Sequence, residues 1–433
     1  MSQPVVVVGA GLSGLRVTEQ LRATGETRAI VVIGAEKHPP YNRPPLTKDA
    51  LRNGADPTTL YFRQRASTAD VEWRLGQRVT AADLDGHTLT LDGGETLAFG
   101  GLVAATGVGT RRLRLDAPLA WRHGIRTIED AAALRTALRP GARVVILGAG
   151  FIGTEVACTA VQLGCEVHVV DPLVLPLVRV LGPLVGAEVR RRHEDRGVAF
   201  HLGRSVVALG GSGDAVRTVT LDDSRALPAD VVVEAVGSHP QVDWLEGNGL
   251  DLRDGVGCDG DLHPDRESGP VLDVVVVGDI AKFPVPGFGT QPYRIEHWNW
   301  PTEIAAHAAR SLVAGMAGRR PPETPFQPVP TFWTDQYGVR FQSLGMPSLG
   351  LDDVRVLEGD PTAECAIGYH ARGRLVGVVL IGNARRLLEY RTQLIASRPP
   401  VSPGKTGKTA SASALTPLAS PSIDAADAPA VAP

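Results

Sequence analysis

Short apolar runs recur along the chain, and two of them, at 5–8 and 144–147, lead directly into glycine-rich loops. Apolar runs of roughly four to eight residues that end in turn residues are typical of strands buried in a parallel sheet. Two later runs, at 102–105 and 231–236, each lead into a turn that contains a glycine. This repeat of loop and later strand predicts two copies of an α/β nucleotide-binding fold.

The two glycine-rich loops share one sequence plan. The loop at 9–14 reads Gly-Ala-Gly-Leu-Ser-Gly, and the loop at 148–153 reads Gly-Ala-Gly-Phe-Ile-Gly. Glycines with this spacing let backbone N–H groups approach a pyrophosphate at a helix N-terminus. An acidic residue that can bind a ribose hydroxyl follows each loop after about 20 residues, Glu36 in the first half and Asp171 in the second. The chain is therefore predicted to bind two dinucleotides, a flavin and a nicotinamide.

Beyond the repeats, one more apolar run predicts a buried strand at 274–277, which ends in Gly278 and Asp279. This run has no glycine-rich loop of its own, so we expect it to return the chain to the first domain. A proline-rich passage at 320–330 then predicts a linker.

The remainder of the chain has two parts, one with a regular pattern of apolar residues and one with a biased composition. Alternating apolar and turn residues predict a small α+β domain with strands at 341–344, 366–369 and 375–381 and a helix at 384–396. From about residue 399 the sequence is rich in Ala, Ser, Pro and Thr and has no aromatic residue, which predicts a disordered tail.

Composition narrows the class of protein. The 433 residues include 44 basic and 47 acidic side chains, for a formal net charge of −3. This length favours about three domains, and the near balance of charge gives no sign of a nucleic-acid-binding surface. No apolar run approaches the roughly 20 residues of a membrane span, and the N-terminus lacks the basic segment of a signal peptide. We expect a cytoplasmic protein that binds neither nucleic acid nor membrane.

The four cysteines, Cys158, Cys165, Cys258 and Cys365, form no CxxC pair. They also lack the spacing of a zinc or iron–sulfur site, so no metal is predicted. Cys158 and Cys165 are expected on one helix, about 10 Å apart along its axis, which is too far for a disulfide. We interpret the cysteines as small buried packing residues, and disulfide-reductase chemistry is not expected.

Seven short motifs follow one another along the chain. They are Tyr41-Asn-Arg-Pro-Pro-Leu-Thr-Lys48, Ala105-Thr-Gly107, Arg126-Thr-Ile-Glu-Asp130, Gly150-Phe-Ile-Gly-Thr-Glu155, Gly278-Asp279, Arg294-Ile-Glu-His-Trp298 and Phe332-Trp-Thr-Asp-Gln-Tyr337. With this order and spacing, the chain resembles the ferredoxin-reductase branch of the FAD-dependent pyridine nucleotide disulfide oxidoreductase superfamily, the group that includes putidaredoxin reductase. The resemblance extends from residue 4 to about residue 395.

The resemblance implies an α/β fold with two Rossmann-like dinucleotide-binding domains and a small C-terminal α+β domain. An FAD-binding domain is expected at 1–111 and 247–320, and an NAD-binding domain is expected as an insertion at 112–246. A C-terminal reductase-type domain is expected at 326–398, followed by the disordered tail at 399–433.

The resemblance also implies the residues that contact each cofactor. For non-covalent FAD they are Gly9, Gly11, Ser13, Gly14, Glu36, Arg43, Lys48, Val79, Thr106, Gly107, Arg126, Gly278, Asp279 and Trp298. For NADH they are Gly148, Gly150, Ile152, Gly153, Glu155, Asp171, Gly237 and Glu296. The ribose-binding acid of the family falls on either Ala35 or Glu36. Because a carboxylate at Asp171 would bind a free 2′-hydroxyl and repel a 2′-phosphate, NADH is favoured over NADPH.

Lys48 and Glu155 belong to different domains, and the resemblance implies that they meet at the reactive edge of the flavin. Each charge would help to keep the other ionised. A cation close to the flavin would also favour the reduced form. We interpret the two residues as a pair that tunes the flavin and the nicotinamide, because hydride transfer needs no side-chain nucleophile or base.

The chain departs from the family pattern just after Trp298, where Trp300, Pro301 and Ile304 replace smaller or polar residues. Pro301 suits the first turn of a helix. Trp300 either alters access to the flavin or to the docking surface of a partner, or packs as an aromatic side chain between domains.

The expected reaction follows from how the partners carry electrons. NADH gives up two electrons together, whereas an iron–sulfur protein accepts one at a time, and a flavin can do both. The resemblance implies an NADH:ferredoxin oxidoreductase whose 2Fe-2S or 3Fe-4S ferredoxin serves a cytochrome P450 or a Rieske oxygenase. Two alternatives stay open: an NADH oxidase that uses oxygen or a small molecule, and an apoptosis-inducing-factor-like flavoprotein that acts through interactions. A monomer or weak dimer is expected.

Overall fold

The structure is a computed structural model that describes residues 3–54, 56–213, 215–322 and 326–399. The predicted tail at 399–433 lies outside the described residues except for Pro399, and the predicted linker at 320–330 lies partly outside them.

The first part of the chain forms a strand–helix–strand unit with a small antiparallel addition. Its helices and strands are β1 (Val5–Val8), α1 (Leu12–Ala23), β2 (Ile30–Gly34), α2 (Asp49–Asn53), β3 (Glu72–Leu75), β4 (Val79–Asp83), β5 (Thr88–Leu91), β6 (Thr96–Ala98), β7 (Gly101–Ala104) and β8 (Val108–Thr110).

The inserted part repeats this plan. Its helices and strands are β9 (Arg122–His123), α3 (Ile128–Ala137), β10 (Arg143–Leu147), α4 (Phe151–Gln162), β11 (Glu166–Asp171), α5 (Val178–Glu194), β12 (Ala199–Leu202), β13 (Val206–Ser212), β14 (Ala215–Leu221), β15 (Ala226–Pro228), β16 (Val231–Glu234) and β17 (Ser238–Pro240).

Two further groups of elements complete the described chain. The group that returns to the first sheet has β18 (Val256–Gly257), β19 (Val274–Val276), β20 (Ala281–Pro284), β21 (Pro292–Arg294) and α6 (Trp300–Gly315). The C-terminal group has β22 (Thr331–Gln336), β23 (Val339–Gly345), β24 (Val354–Gly359), β25 (Cys365–Ala371), β26 (Arg374–Ile381) and α7 (Leu387–Ala396).

Two five-stranded sheets form the framework, with the orders β19-β7-β1-β2-β3 and β12-β11-β10-β16-β9. Every pair of neighbouring strands in both sheets is parallel. The central strands are rich in valine and buried, as expected for strands covered on both faces. Since Val274 of β19 lies beside Leu102 of β7, the chain returns to the first sheet after the insertion. The α/β fold class is confirmed.

The C-terminal sheet is antiparallel, in the order β22-β23-β26-β25-β24. Three of its five strands were predicted from apolar alternation, whereas β22 and β24 were not. The side chains of β24 are exposed or half-buried, so its sequence does not show the alternation of buried and exposed residues that predicts a strand. The C-terminal helix begins at Leu387, after a 3₁₀ turn at Ala384–Arg386, and therefore starts later than the sequence predicts.

The cysteine geometry differs from the prediction in one respect. Cys158 lies on α4, but Cys165 lies beyond the end of that helix, because Gly164 in a left-handed conformation follows the last turn. All four cysteines are buried and free.

Apolar contacts join the first part, the inserted part and the C-terminal group. Leu46 of the first part packs in one cluster with Val156 of α4. Leu181 of α5 packs in another cluster with Phe341 of the C-terminal sheet. Trp300 is fully buried in the core of the first domain, where its ring stacks on Phe283 with a centroid distance of 5.9 Å. The departure at Trp300 is therefore a packing feature inside the first domain.

The inserted domain contains a buried ionic cluster at the end of β16. The Glu234 carboxylate lies 2.8 Å from Arg112 Nη1 and 3.2 Å from Arg122 Nη1, and it accepts a hydrogen bond from the backbone N–H of Leu113. We predict that Glu234→Ala destabilises this domain by roughly 3–5 kcal/mol, because it leaves buried arginine charge without its partner. Calorimetric unfolding of the variant measures the loss.

The matched control is Glu166→Ala on β11, because the Glu166 side chain is 62% exposed and its contact with His168 is a surface ion pair. This change should alter stability by no more than about 0.5 kcal/mol. Equal stability of the two variants would show that the Glu234 cluster contributes nothing to folding.

Candidate cofactor-binding site

The first glycine-rich loop is shaped by close backbone contacts. Gly9 has a φ of +121°, and a Cβ there would lie 2.2 Å from the carbonyl oxygen of Ala105. A Cβ on Gly14 would lie 2.0 Å from the carbonyl oxygen of Gly9. A Cβ on Gly11, by contrast, would meet no atom within 4 Å. The loop therefore packs tightly behind and leaves open space in front, at the start of α1, where a pyrophosphate would lie.

This loop borders a cavity of about 760 Å³ that extends from β1 to β22. Twelve of the fourteen residues predicted to contact FAD line it: Gly9, Gly11, Ser13, Glu36, Arg43, Lys48, Val79, Thr106, Gly107, Arg126, Asp279 and Trp298. Gly14 and Gly278 do not line the cavity. Gly278 supports it from behind, because a Cβ there would lie 2.1 Å from Ser13 Oγ.

Charged side chains along the cavity are paired with one another. Arg43 Nη2 lies 2.5 Å from Glu36 Oε1, and the Tyr41 hydroxyl donates to Glu36 Oε2 at 2.6 Å. Arg126 Nη2 lies 3.2 Å from Asp279 Oδ2. Burial raises the pKa of the Asp279 carboxyl, and the nearby Arg126 opposes this rise. Two arginines and two carboxylates thus face one cavity.

Lys48 and Glu155 meet at the same cavity, although they belong to different domains. Lys48 Nζ lies 2.6 Å from Glu155 Oε2. The Thr47 hydroxyl donates to the same oxygen at 2.6 Å, and the Thr334 hydroxyl donates to Glu155 Oε1 at 2.7 Å. The first segment, the insertion and the C-terminal sheet therefore all contribute to the surroundings of one buried carboxylate.

The second glycine-rich loop has the same backbone geometry as the first. Gly148 has a φ of +106°, and its Cβ would lie 2.4 Å from the carbonyl oxygen of Ala235. A Cβ on Gly153 would lie 1.9 Å from the carbonyl oxygen of Gly148. A Cβ on Gly150 would meet no atom within 4 Å. Open space again lies at the start of a helix, here α4.

The residues predicted to contact NADH divide between two places. Ile152, Glu155 and Glu296 line the large cavity. Outside that lining lie the remaining five: Gly148, Gly150, Gly153, Asp171 and Gly237. Asp171 ends β11, and its carboxylate accepts 2.7 Å hydrogen bonds from the backbone N–H groups of Ala149 and Leu173.

The sequence analysis missed several residues of the cavity. Tyr41, Thr47, Phe332 and Trp333 line it, or lie against its charged groups, within motifs that were recognised only for other members. His297 also lines it, and its Nδ1 is buried without a hydrogen-bond partner among the described residues. Burial lowers the pKa of His297 to about 4. Their positions inside recognised motifs could have marked them as candidate site residues. Their contacts, however, are with elements that lie far away in the sequence.

The described residues were also compared with the requirements of a membrane span and of a metal site. No helix among them is long and apolar enough to cross a membrane. Within the same described ranges, no group of three or more His, Cys, Asp or Glu side chains is arranged to hold a metal ion.

Comparisons with known proteins agree with this fold. Residues 3–304 match the family described as pyridine nucleotide-disulphide oxidoreductase, and residues 331–412 match a domain described as reductase C-terminal. One relative is the ferredoxin–NAD(+) reductase component of the anthranilate 1,2-dioxygenase system of Burkholderia cepacia, 37% identical over 89% of this chain and 94% of the relative. Another is putidaredoxin reductase of Pseudomonas putida, 30% identical over 93% of this chain and 94% of the relative.

A solved structure gives the same result. The reductase in the covalent putidaredoxin reductase–putidaredoxin complex superposes with a TM-score of 0.82, at 30% identity, over 93% of this chain and 94% of that one. Two Rossmann-like domains with two glycine-rich loops are the architecture of a protein that binds two dinucleotides. The chain belongs to the pyridine nucleotide-disulphide oxidoreductase family, in its ferredoxin–NAD(+) reductase branch. This family uses a flavin and NAD(H).

The open space at Gly150 generates a test of nucleotide binding. We predict that Gly150→Ala weakens NADH binding roughly tenfold, about 1.4 kcal/mol, because the methyl group enters the space in front of the helix. The thermal midpoint should not change. Titration of NADH against the purified protein measures the affinity.

Gly148→Ala is the comparison variant in the same loop. It should lower the thermal midpoint, because its Cβ would overlap the Ala235 carbonyl and its φ is positive. Unchanged NADH affinity in Gly150→Ala would show that the nucleotide does not pass in front of this loop.

Proposed function

We propose that the chain is an NADH:ferredoxin oxidoreductase that holds FAD non-covalently. The observation that carries this proposal is the make-up of the cavity beside Lys48 and Glu155. Among the described residues that line it there is no cysteine, so no thiol is placed to receive electrons there. This lining supports transfer of electrons to an external acceptor, and the relatives include ferredoxin reductases.

The cavity residues fit FAD. Gly9 and Gly11 would admit the pyrophosphate at the start of α1, and Arg43 and Arg126 would offset its charge. Asp279 would accept hydrogen bonds from the ribityl hydroxyls. Glu36, which already bonds Arg43, would hold the ribose. The buried, unpartnered Nδ1 of His297 is a further polar atom that a bound group would satisfy.

NADH would occupy the second glycine-rich loop, and Asp171 would bind its ribose. The Asp171 carboxylate accepts two backbone N–H groups, and each oxygen retains a second lone pair for a hydroxyl. Ile152, which is 41% exposed, and Glu296 would contact the nicotinamide half where the cavity opens.

Lys48 and Glu155 would set the electrostatics at the meeting point of the two cofactors. FAD, when bound, accepts a hydride from NADH and releases electrons one at a time. Lys48 would favour the electron-rich state, and Glu155 would hold the ammonium group in place. Neither residue has to move a proton for this role.

The electron acceptor would be a ferredoxin of the 2Fe-2S or 3Fe-4S kind that serves a cytochrome P450 or a Rieske oxygenase. The relatives include components of a dioxygenase system, and the solved complex contains putidaredoxin. Arg63 and Arg65 are exposed beside Phe62, whose ring stacks on Trp298 at 6.3 Å. Basic residues so close to the cavity would favour an acidic partner and a docking step that weakens with salt.

The proposed activity predicts ferredoxin-dependent reduction of cytochrome c. The purified yellow protein should reduce cytochrome c slowly with NADH alone and much faster when a ferredoxin from a bacterial panel is added. The rate should fall as salt is raised, because the docking surfaces carry opposite charge.

Two results would contradict the activity. NADH consumption that ignores ferredoxin but consumes oxygen would indicate an NADH oxidase. Slow reoxidation together with an NADH-dependent change of oligomeric state would indicate a flavoprotein that acts through interactions.

The choice of nicotinamide provides a second prediction. Asp171→Asn should reduce the preference for NADH over NADPH at least about tenfold in kcat/KM, because it removes the charge that repels a 2′-phosphate. Steady-state kinetics with both nucleotides measure the ratio, and the thermal midpoint controls for the lost backbone hydrogen bond. An unchanged ratio of the two kcat/KM values would show that Asp171 does not select between NADH and NADPH.

A further inference from the structure

A chain of hydrogen-bonded side chains runs from Glu155 into the interior, away from the cavity. Thr334 Oγ1 donates to Glu155 Oε1 at 2.7 Å, and Gln336 Nε2 donates to Thr334 Oγ1 at 3.2 Å. His193 Nε2 lies 2.9 Å from Gln336 Oε1, and the Tyr337 hydroxyl lies 3.0 Å from His193 Nδ1. The first four of these side chains are buried, so water does not compete for their hydrogen bonds.

The surroundings of Gln336 fix which way its amide points. The Thr154 hydroxyl donates its single hydrogen to helix carbonyls, those of Gly150 at 3.0 Å and Phe151 at 3.1 Å. Toward Gln336 it can therefore only accept, and Gln336 Nε2 lies 2.9 Å away as the donor. The amide nitrogen of Gln336 thus faces both threonines, and its oxygen faces His193.

The direction of the remaining hydrogen bonds follows. Because Gln336 Oε1 can only accept, His193 must carry its hydrogen on Nε2, and its Nδ1 must accept from the Tyr337 hydroxyl. Burial lowers the pKa of His193 to about 4, so the ring is neutral near pH 7. At the other end, Thr334 accepts from Gln336 and has its own hydrogen free for Glu155. Every hydrogen in the chain points toward the carboxylate.

We infer that Gln336, oriented by His193 and Thr154, is a positioning residue that directs the Thr334 hydroxyl onto Glu155 and thereby sets the reduction potential of the flavin beside Lys48. This inference rests on the proposed function only in requiring bound FAD. Donors to Glu155 offset part of its negative charge. When a donor is lost, the carboxylate charge acts more strongly at the cavity and disfavours the electron-rich flavin.

The test is an anaerobic redox titration of the FAD-loaded full chain with Gln336→Met. We expect the two-electron midpoint potential to fall by on the order of 30 mV, a tenfold change in the reduction equilibrium. The matched control is Gln342→Met, which removes a buried glutamine from the adjacent strand whose amide bonds only the Phe332 carbonyl in the described structure. The control should keep the wild-type potential.

Substitution of Thr334 tests the last link and covers a failure of Gln336→Met to hold FAD. Thr334→Val removes the hydroxyl and should lower the potential by at least as much, whereas Thr334→Ser keeps the hydroxyl and should leave the potential unchanged. An unchanged potential in Thr334→Val overturns the inference. So does a fall in Thr334→Val together with no change in Gln336→Met.

Loss of stability without a change of potential would also overturn the inference, because it would show that the chain only satisfies buried polar groups. A failure of the wild-type protein to reduce any ferredoxin would contradict the proposed function alone. The potentials would still be measurable, since they depend only on bound FAD.

Discussion

The arrangement of the first segment, the inserted domain and the C-terminal sheet depends on one buried carboxylate. Glu155 lies on α4 with its side chain only 6% exposed, and a carboxylate buried to this degree needs several donors. Thr47 and Lys48 supply two of them from the first segment, and Thr334 supplies the third from the C-terminal sheet. Because none of these donors lies in the inserted domain, Glu155 is satisfied only when all three parts are in their observed places. The cavity is lined by residues from all three parts, so it forms only in that arrangement.

The framework could be predicted from sequence because its determinants are local. A buried strand, a loop with positive φ at Gly9 or Gly148 and a helix start are all encoded within about ten residues, and both loops have this geometry. The return of the chain at β19 could also be predicted, since that strand had no loop of its own and pairs with β7. Gly9 and Gly11 of the cavity were found for the same reason, whereas residues such as Arg43, Lys48 and Trp298 were predicted only from the family resemblance.

The remaining features depend on contacts between distant segments. His193 belongs to an Arg-Arg-Arg-His-Glu run on α5 that has the composition of an exposed helix face, yet its ring is fully buried against Gln336. Gln336 and Thr334 lie on β22, a strand that the sequence analysis did not predict. Trp300 was expected at the cavity or between domains, but Phe283 and the core of the first domain enclose it. A single sequence gives no measure of these long-range pairings.

The make-up of the cavity explains why such distant contacts matter. A site with a reactive cysteine can use covalent chemistry, but no cysteine is among the described residues that line this cavity. The side chains that line the cavity can act on electron transfer by placing the cofactors and by controlling the charges beside them. Lys48 and Glu155 are charges of this kind, and the fold brings them within 2.6 Å of each other from separate domains. Because a buried charge is felt strongly where water is excluded, even the orientation of a threonine hydroxyl on Glu155 becomes a means of adjusting the potential.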